Sequence, residues 1–176
     1  MRILKWLLGS VAVLAGVFFI GGMLLPREIT VERSAQINAP ADKIFPHVNN
    51  LQAAQAWSPW LSLDPNVQVA YGDVPEGLGA KMEWSSDVEQ VGSGKLEIVE
   101  SMENKRVVSA LDFGDMGLAE ASYDLSQEGD ITTITWGLKA DMGAGAMGRW
   151  MGLMMDDWVG ADYERGLSNL KALIEG

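Results

Sequence analysis

Between residues 67 and 138 the chain reads as a run of six short strands separated by turn chemistry, with no helix-length apolar periodicity between them. The segments are 67–71, 80–85, 94–101, 106–113, 119–126 and 131–138. Period-two patterning marks half-buried strands. The connections are turn formers: Pro75-Glu76-Gly77-Leu78-Gly79, Glu103-Asn104-Lys105, Gly114-Asp115-Met116-Gly117 and Glu128-Gly129-Asp130. A parallel pair needs a crossover of about a dozen residues. These links are shorter, so the six strands form an antiparallel meander. A seventh strand precedes them, where Ile29, Val31, Ala35 and Ile37 alternate with Thr30, Glu32, Ser34 and Gln36. Arg33 interrupts its apolar face.

Helical signals lie on either side of the meander. Asn38-Ala39-Pro40-Ala41-Asp42 places a proline at a first helical position and an acid in the first turn, which predicts a helix from about Pro40 with Ile44, Phe45 and Val48 inward. Pro46 would cost about 3 kcal/mol in a regular helix interior, so this helix should be short or kinked. A second short helix over 51–56 leads into Trp57-Ser58-Pro59-Trp60, where Pro59 imposes an extended or turn geometry. From 145 to 175 the spacing is helical again, through Met147, Met151, Met155, Val159, Tyr163, Leu167, Leu170 and Ile174. The first half adds Trp150, Leu153, Met154 and Trp158 and is apolar over much of its circumference. The second half narrows to a stripe. Gly148, Gly152, Gly160 and Gly166 each weaken such a helix by about 1 kcal/mol relative to Ala, which points to close packing or to flexibility.

Charge divides the chain at Pro26. Residues 1–26 contain no acid, whereas residues 27–176 contain all 24 acids against 11 bases. From Trp6 to Leu25 there are twenty residues without a charge, with Arg2 and Lys5 ahead and Arg27 behind. As a helix they would rise about 30 Å, the thickness of a bilayer's hydrocarbon core. A cleaved signal peptide usually has an apolar stretch of about 7 to 15 residues and a small-residue cleavage site. This run ends Gly21-Gly22-Met23-Leu24-Leu25-Pro26. The expectation is a single-pass anchor over 1–26, crossing the membrane through residues 6–25, and one domain over 27–176. Arg2, Lys5 and the amino terminus face Arg27 and Arg33 across the segment, and the orientation expected is a cytoplasmic N-terminus with the domain on the extracytoplasmic side. Ala12 and Gly16 form a small-xxx-small pair that ordinary membrane-helix composition also explains.

Several function classes drop out. A domain at −13 without a dense basic patch would be repelled by nucleic acid. With no cysteine there is no disulfide, thiolate catalysis or Cys-ligated zinc. His47 is the only histidine, so a multi-histidine metal centre cannot be built within one chain, and a Ser-His-Asp site would have to use it. Gly143-x-Gly145-x-x-Gly148 spells a dinucleotide fingerprint but lacks the following parallel strand and its acid. Asp112-Phe113-Gly114 spells a kinase motif without any of its companions. The acids are scattered as on a solvated surface, with neither calcium-loop spacing nor a pair that spacing alone places in one pocket. No metal, cofactor or catalytic set is expected from the residues.

The element order, one strand, two short helices, six antiparallel strands and a long C-terminal helix, matches the α+β helix-grip fold. Ile37-Asn38-Ala39-Pro40, Trp57-Ser58-Pro59-Trp60 with Asp64-Pro65, Gly77-Leu78-Gly79-Ala80, Gly92-Ser93-Gly94 before Leu96-Glu97-Ile98, and Glu164 to Lys171 together resemble the polyketide cyclase/dehydrase branch of the START-like (SRPBCC) superfamily. The resemblance covers about 27–175. It implies a Bet v 1/START-like seven-stranded sheet wrapped around the C-terminal helix, with a deep apolar cavity between. Pro46 and the Met- and Gly-rich stretch over 142–155 depart from the usual pattern.

Aromatic and methionine side chains are the remaining signal. Met82 with Trp84, Ala121 with Tyr123 and Leu125, and Ile134 with Trp136 and Leu138 each share a strand face. Met151, Met154, Met155 and Trp158 are expected opposite. Such residues suit either a filled core or a hydrophobic pocket, and the resemblance favours the pocket. The expected function is a membrane-anchored, non-enzymatic binder or carrier of a hydrophobic small molecule, a lipid or polyketide-like compound. Its pocket wall would be Trp84, Tyr123, Trp136, Met151, Met155 and Trp158. Two alternatives are a cyclase/dehydrase-type enzyme using the same cavity, with Arg33 as the first residue to inspect, and a protein-interaction module at the membrane with an unknown partner.

Overall fold

The computed structural model describes the backbone of residues 2–176 and all side chains except those at 1–5, 8, 12 and 115. Arg2, Lys5 and Ala12 thus lie outside the described side chains. The elements run α1 (Arg2–Leu24), β1 (Glu28–Ile37), α2 (Ala41–Asn49), a 3₁₀ turn (Ala53–Ala56), β2 (Gln68–Tyr71), β3 (Lys81–Ser85), β4 (Ser93–Met102), β5 (Arg106–Asp112), a 3₁₀ turn (Gly114–Met116), β6 (Leu118–Glu128), β7 (Ile131–Asp141) and α3 (Ala146–Glu175).

All seven strands join one antiparallel sheet in the order β1-β7-β6-β5-β4-β3-β2. The short turns dictate the meander from β2 to β7, and the first strand returns to close on the last. Arg33 then lies opposite Trp136, and Val31 opposite Leu138. Arg27 continues the edge beyond the ladder, its guanidinium gripping Asp141 through hydrogen bonds of 2.7 and 2.6 Å. That grip, with the Gly143 N–H, holds the Asp141 carboxyl down at about 2.

α2 is short, as the proline predicts. It has nine residues, and Pro46 sits on its exposed side while Ile44, Phe45 and Val48 are buried. The core lies between α2, the 57–60 corner, the second half of α3 and the inner face of the sheet. Ile37, Ile44, Trp57, Ile98, Ile134, Leu167 and Leu170 are among its fully buried side chains. Each such burial stabilises by about 1.5–3 kcal/mol.

The four glycines of α3 all mark close approaches. An added Cβ would lie 2.1 Å from the Met142 carbonyl oxygen at Gly148, 3.0 Å from Ile29 at Gly152, 2.1 Å from the Arg33 guanidinium at Gly160 and 2.7 Å from the Trp136 ring at Gly166. The propensity cost of glycine is thus exchanged for contact along the whole helix.

α1 packs on the start of α3 through its last two turns. Phe18 stacks on Trp150 with centroids 6.2 Å apart, and the Trp150 indole donates to the Phe18 carbonyl at 3.0 Å. Earlier in α1, Trp6, Val13, Leu14 and Val17 are exposed. Among the described residues no helix is long and apolar enough to cross a membrane; the uncharged run includes Leu8 and Ala12, which lie outside the described side chains.

Candidate ligand-binding site

Strand parity assigns the inner face residue by residue. On β1 it carries Ile29, Val31, Arg33, Ala35 and Ile37, on β7 Ile134, Trp136 and Leu138, and on β6 Ala119, Ala121, Tyr123 and Leu125. The remaining four strands, β2 to β5, add Tyr71, Met82, Trp84, Gly94, Leu96 and Leu111. This face has two unlike ends.

At the β1–β7–β6 end it is filled by aromatic rings. Trp136, 3% exposed, lies against Tyr163 of α3 in a stack 3.9 Å deep. Trp57 and Trp60 meet Trp136 edge-on at 5.3 and 5.5 Å, and Tyr123 tilts against it at 5.2 Å. Aromatic pairs in this geometry add about 0.5–1.5 kcal/mol beyond the area they bury. The rings are tied down at their polar ends: the Trp57 indole donates to the His47 carbonyl at 3.1 Å and the Trp60 indole to Asp162 at 2.9 Å. The Trp136 indole N–H, by contrast, is buried without a partner. Burial pushes the Tyr123 and Tyr163 hydroxyls well above the ordinary phenol range, Tyr123 with a further contribution from Tyr163.

At the opposite end the sheet carries a groove of about 580 Å³ that draws on both faces: Val69, Trp84 and Gly94 have inner-face parity, Gln68, Ala70, Glu83, Ser85, Ser93, Lys95 and Asp112 have outer-face parity, and Phe113 and Gly114 close one side. The Trp84 ring lies against Gly94, where a Cβ would come within 2.6 Å, and meets Phe113 edge-on at 5.9 Å. Its indole donates to the Val91 carbonyl at 3.1 Å, which fixes the ring as one wall.

The six residues expected to wall a pocket are therefore divided. Tyr123 and Trp136 meet in the aromatic cluster, Trp84 lines the groove, and Met155 packs on the margin of the core. Met151 and Trp158 are 43% and 54% exposed, as is Met154 at 42%. The partner of Trp136 is Tyr163, about two turns beyond the Met-rich stretch, because the Arg33 crossing and the glycines seat the second half of α3 against the sheet. Phe113, Trp57, Trp60 and Tyr163 are the residues that the pocket assignment omitted. Trp57 and Trp60 were visible as a Trp-Ser-Pro-Trp corner, and Tyr163 lay in the helical stripe, yet nothing in the spacing showed that they converge on one strand residue.

Among the described residues, Arg33 is the only charged one at an inner-face strand position. Its guanidinium crosses α3 at Gly160, donating to the Asp156 carboxylate at 2.9 Å, the Asp156 carbonyl at 3.1 Å and Glu164 at 2.9 Å. The hydrogen bonds from Arg33 hold the Asp156 carboxyl below the usual range. The residue therefore clamps helix to sheet. His47 lies on α2 with only its carbonyl engaged in the cluster. Among the described residues no group of three His, Asp or Glu side chains is arranged to hold a metal.

With the geometry established, comparison places the chain. The family model for polyketide cyclase / dehydrase and lipid transport matches residues 28–175. The chain belongs to this family. Solved structures share the fold at low identity. A START superfamily protein from Mycobacterium smegmatis is 18% identical with a TM-score of 0.59, the match covering 83% of this chain and 97% of that one. A protein from Chromobacterium violaceum is 14% identical with a TM-score of 0.59, covering 84% and 98%. The di-domain aromatase/cyclase BexL from the BE-7585A biosynthetic pathway is 17% identical with a TM-score of 0.61, covering 85% of this chain and 51% of that one. No curated protein sequence matches the chain significantly.

Proposed function

We propose that this family member binds a hydrophobic small molecule, lipid or polyketide-like, in the groove at the β2–β4 end of its sheet, and that α1 holds it at a membrane with the domain on the extracytoplasmic side. The observation that carries the binding reading is the groove of about 580 Å³ at the β2–β4 end of the sheet, where Val69, Trp84 and Phe113 sit among polar side chains, while the β1–β7–β6 end is closed by five packed rings. A groove of this size suits a drug-sized or lipid-chain ligand. The family's description, which joins cyclisation and dehydration of polyketides to lipid transport, is in keeping with apolar cargo. The anchor reading rests on the twenty uncharged residues from Trp6 to Leu25. The guanidinium of Arg33 is engaged by Asp156 and Glu164, which leaves the cyclase alternative without the residue it would first invoke.

A diazirine-bearing fatty acid, photoactivated on the full chain in nanodiscs and located by peptide mass spectrometry, tests the binding site. Label in the peptides of β3 and in the Phe113 turn is the expected result. Label confined to α1 would reject the groove as a binding site.

A further inference from the structure

Among the described residues, the apolar stripe that α3 turns away from the sheet has no covering partner. Met147, Met151, Met154 and Trp158 are all exposed, by 63, 43, 42 and 54%. At spacings of four, three and four residues they form one helical face. We infer that this face is immersed in the bilayer interface, its occupant being the acyl and headgroup boundary of the same membrane that α1 crosses. The inference rests on the anchor reading above and follows from where α1 and α3 touch.

The contact lies inside the uncharged run, ahead of its end. Trp150 stacks on Phe18 and covers Gly21, and Ala146 abuts Gly22 so closely that an added Cβ would lie 2.6 Å away. Phe18 is seven residues before Leu25, or about 10 Å along a helix. If the run spans the hydrocarbon core, the first turns of α3 sit at that depth beside it. Holding α3 clear of the membrane would require Phe18 to Leu25 to leave the bilayer as well. The twelve residues that remained would rise about 18 Å, against a core of about 30 Å.

The surrounding chemistry fits an interfacial seat. Arg149 donates to the carbonyls of Met23 and Leu25 at 2.7 and 3.2 Å, so its charge caps the end of α1 at the membrane boundary. Asp156 and Asp157 fall between Met154 and Trp158, the last residue of the stripe, where an amphipathic ring suits the headgroup level. The domain's acidity opposes anionic lipid, so the apolar face supplies the attraction, and neutral phosphatidylcholine should suffice.

The absence of cysteine allows single nitroxide labels to be introduced by Val13→Cys, Met151→Cys, Met154→Cys or Leu173→Cys, all at exposed positions. In phosphatidylcholine vesicles carrying the full chain, power saturation compares collision with oxygen, which concentrates in lipid, and with a nickel chelate, which stays in water. The oxygen-to-nickel ratio should be several-fold higher at 13, 151 and 154 than at 173. A ratio at 151 and 154 equal to that at 173, with 13 still in lipid, overturns the immersion and leaves the anchor standing. A water-exposed label at 13 overturns the anchor and the immersion together.

Discussion

Two glycines of α3 show how differently the same substitution should act at neighbouring positions. At Gly166 an added methyl meets the Trp136 ring at 2.7 Å and Pro59 at 3.1 Å, both rigid and both in the packed core. Overpacking of that kind costs about 1–3 kcal/mol, only partly offset by the roughly 1 kcal/mol that alanine gains over glycine in a helix. At Gly160 the obstacle is the far end of Arg33, whose partners Asp156 and Glu164 are 62% and 66% exposed. That side chain can swing outward at the loss of surface ion pairs worth about 0–1 kcal/mol. Gly166→Ala should therefore be clearly destabilising in urea unfolding and Gly160→Ala within about 1 kcal/mol of neutral. Equal losses would show that the Arg33 clamp is stronger than its exposure implies.

At the scale of elements, α3 is one helix with two environments. Its second half buries Tyr163, Leu167 and Leu170 against the sheet, and its first half touches β1 and α1 while turning Leu153 and three methionines outward. Leucine to alanine should report the difference. Leu170→Ala, at a position with no exposed surface, is expected to cost about 2–5 kcal/mol. Leu153→Ala, 54% exposed, should stay within about 0.5 kcal/mol in detergent. Urea unfolding followed by far-UV circular dichroism of the two variants checks this, and comparable losses would mean that the first half of α3 is covered in solution. Both halves keep a 3.6-residue apolar spacing, so the periodicity alone did not distinguish a face packed on protein from a face left bare.

For the whole molecule, the strongly acidic domain and the uncharged leader should partition together. Full-length chain is expected to remain with the pellet when membranes are washed with alkaline carbonate, and a chain beginning at Arg27 should be released to the supernatant. Release of the full chain would remove the anchor. Much of the domain's architecture could be read from residue order, because the information is local: alternation along 29–37 and 67–138 commits those segments to strands, short Gly- and Asn-bearing turns force antiparallel neighbours, and Pro40 and Gly145 bracket helix starts within a residue or so. Even the shared faces of Trp84, Tyr123 and Trp136 follow from parity. What parity cannot specify is the angle at which a helix crosses a sheet or which side chain meets its inner face. Those depend on contacts between residues far apart in sequence, such as Arg33 over Gly160 and Tyr163 on Trp136. The sequence thus determined the strands, their order and the apolar leader. Only the tertiary structure decided that rings fill one end of the inner face, that a groove lies at the β2–β4 end of the sheet, and that the methionine stripe of α3 is left facing outward beside α1, because close packing is settled by three-dimensional fit rather than by period.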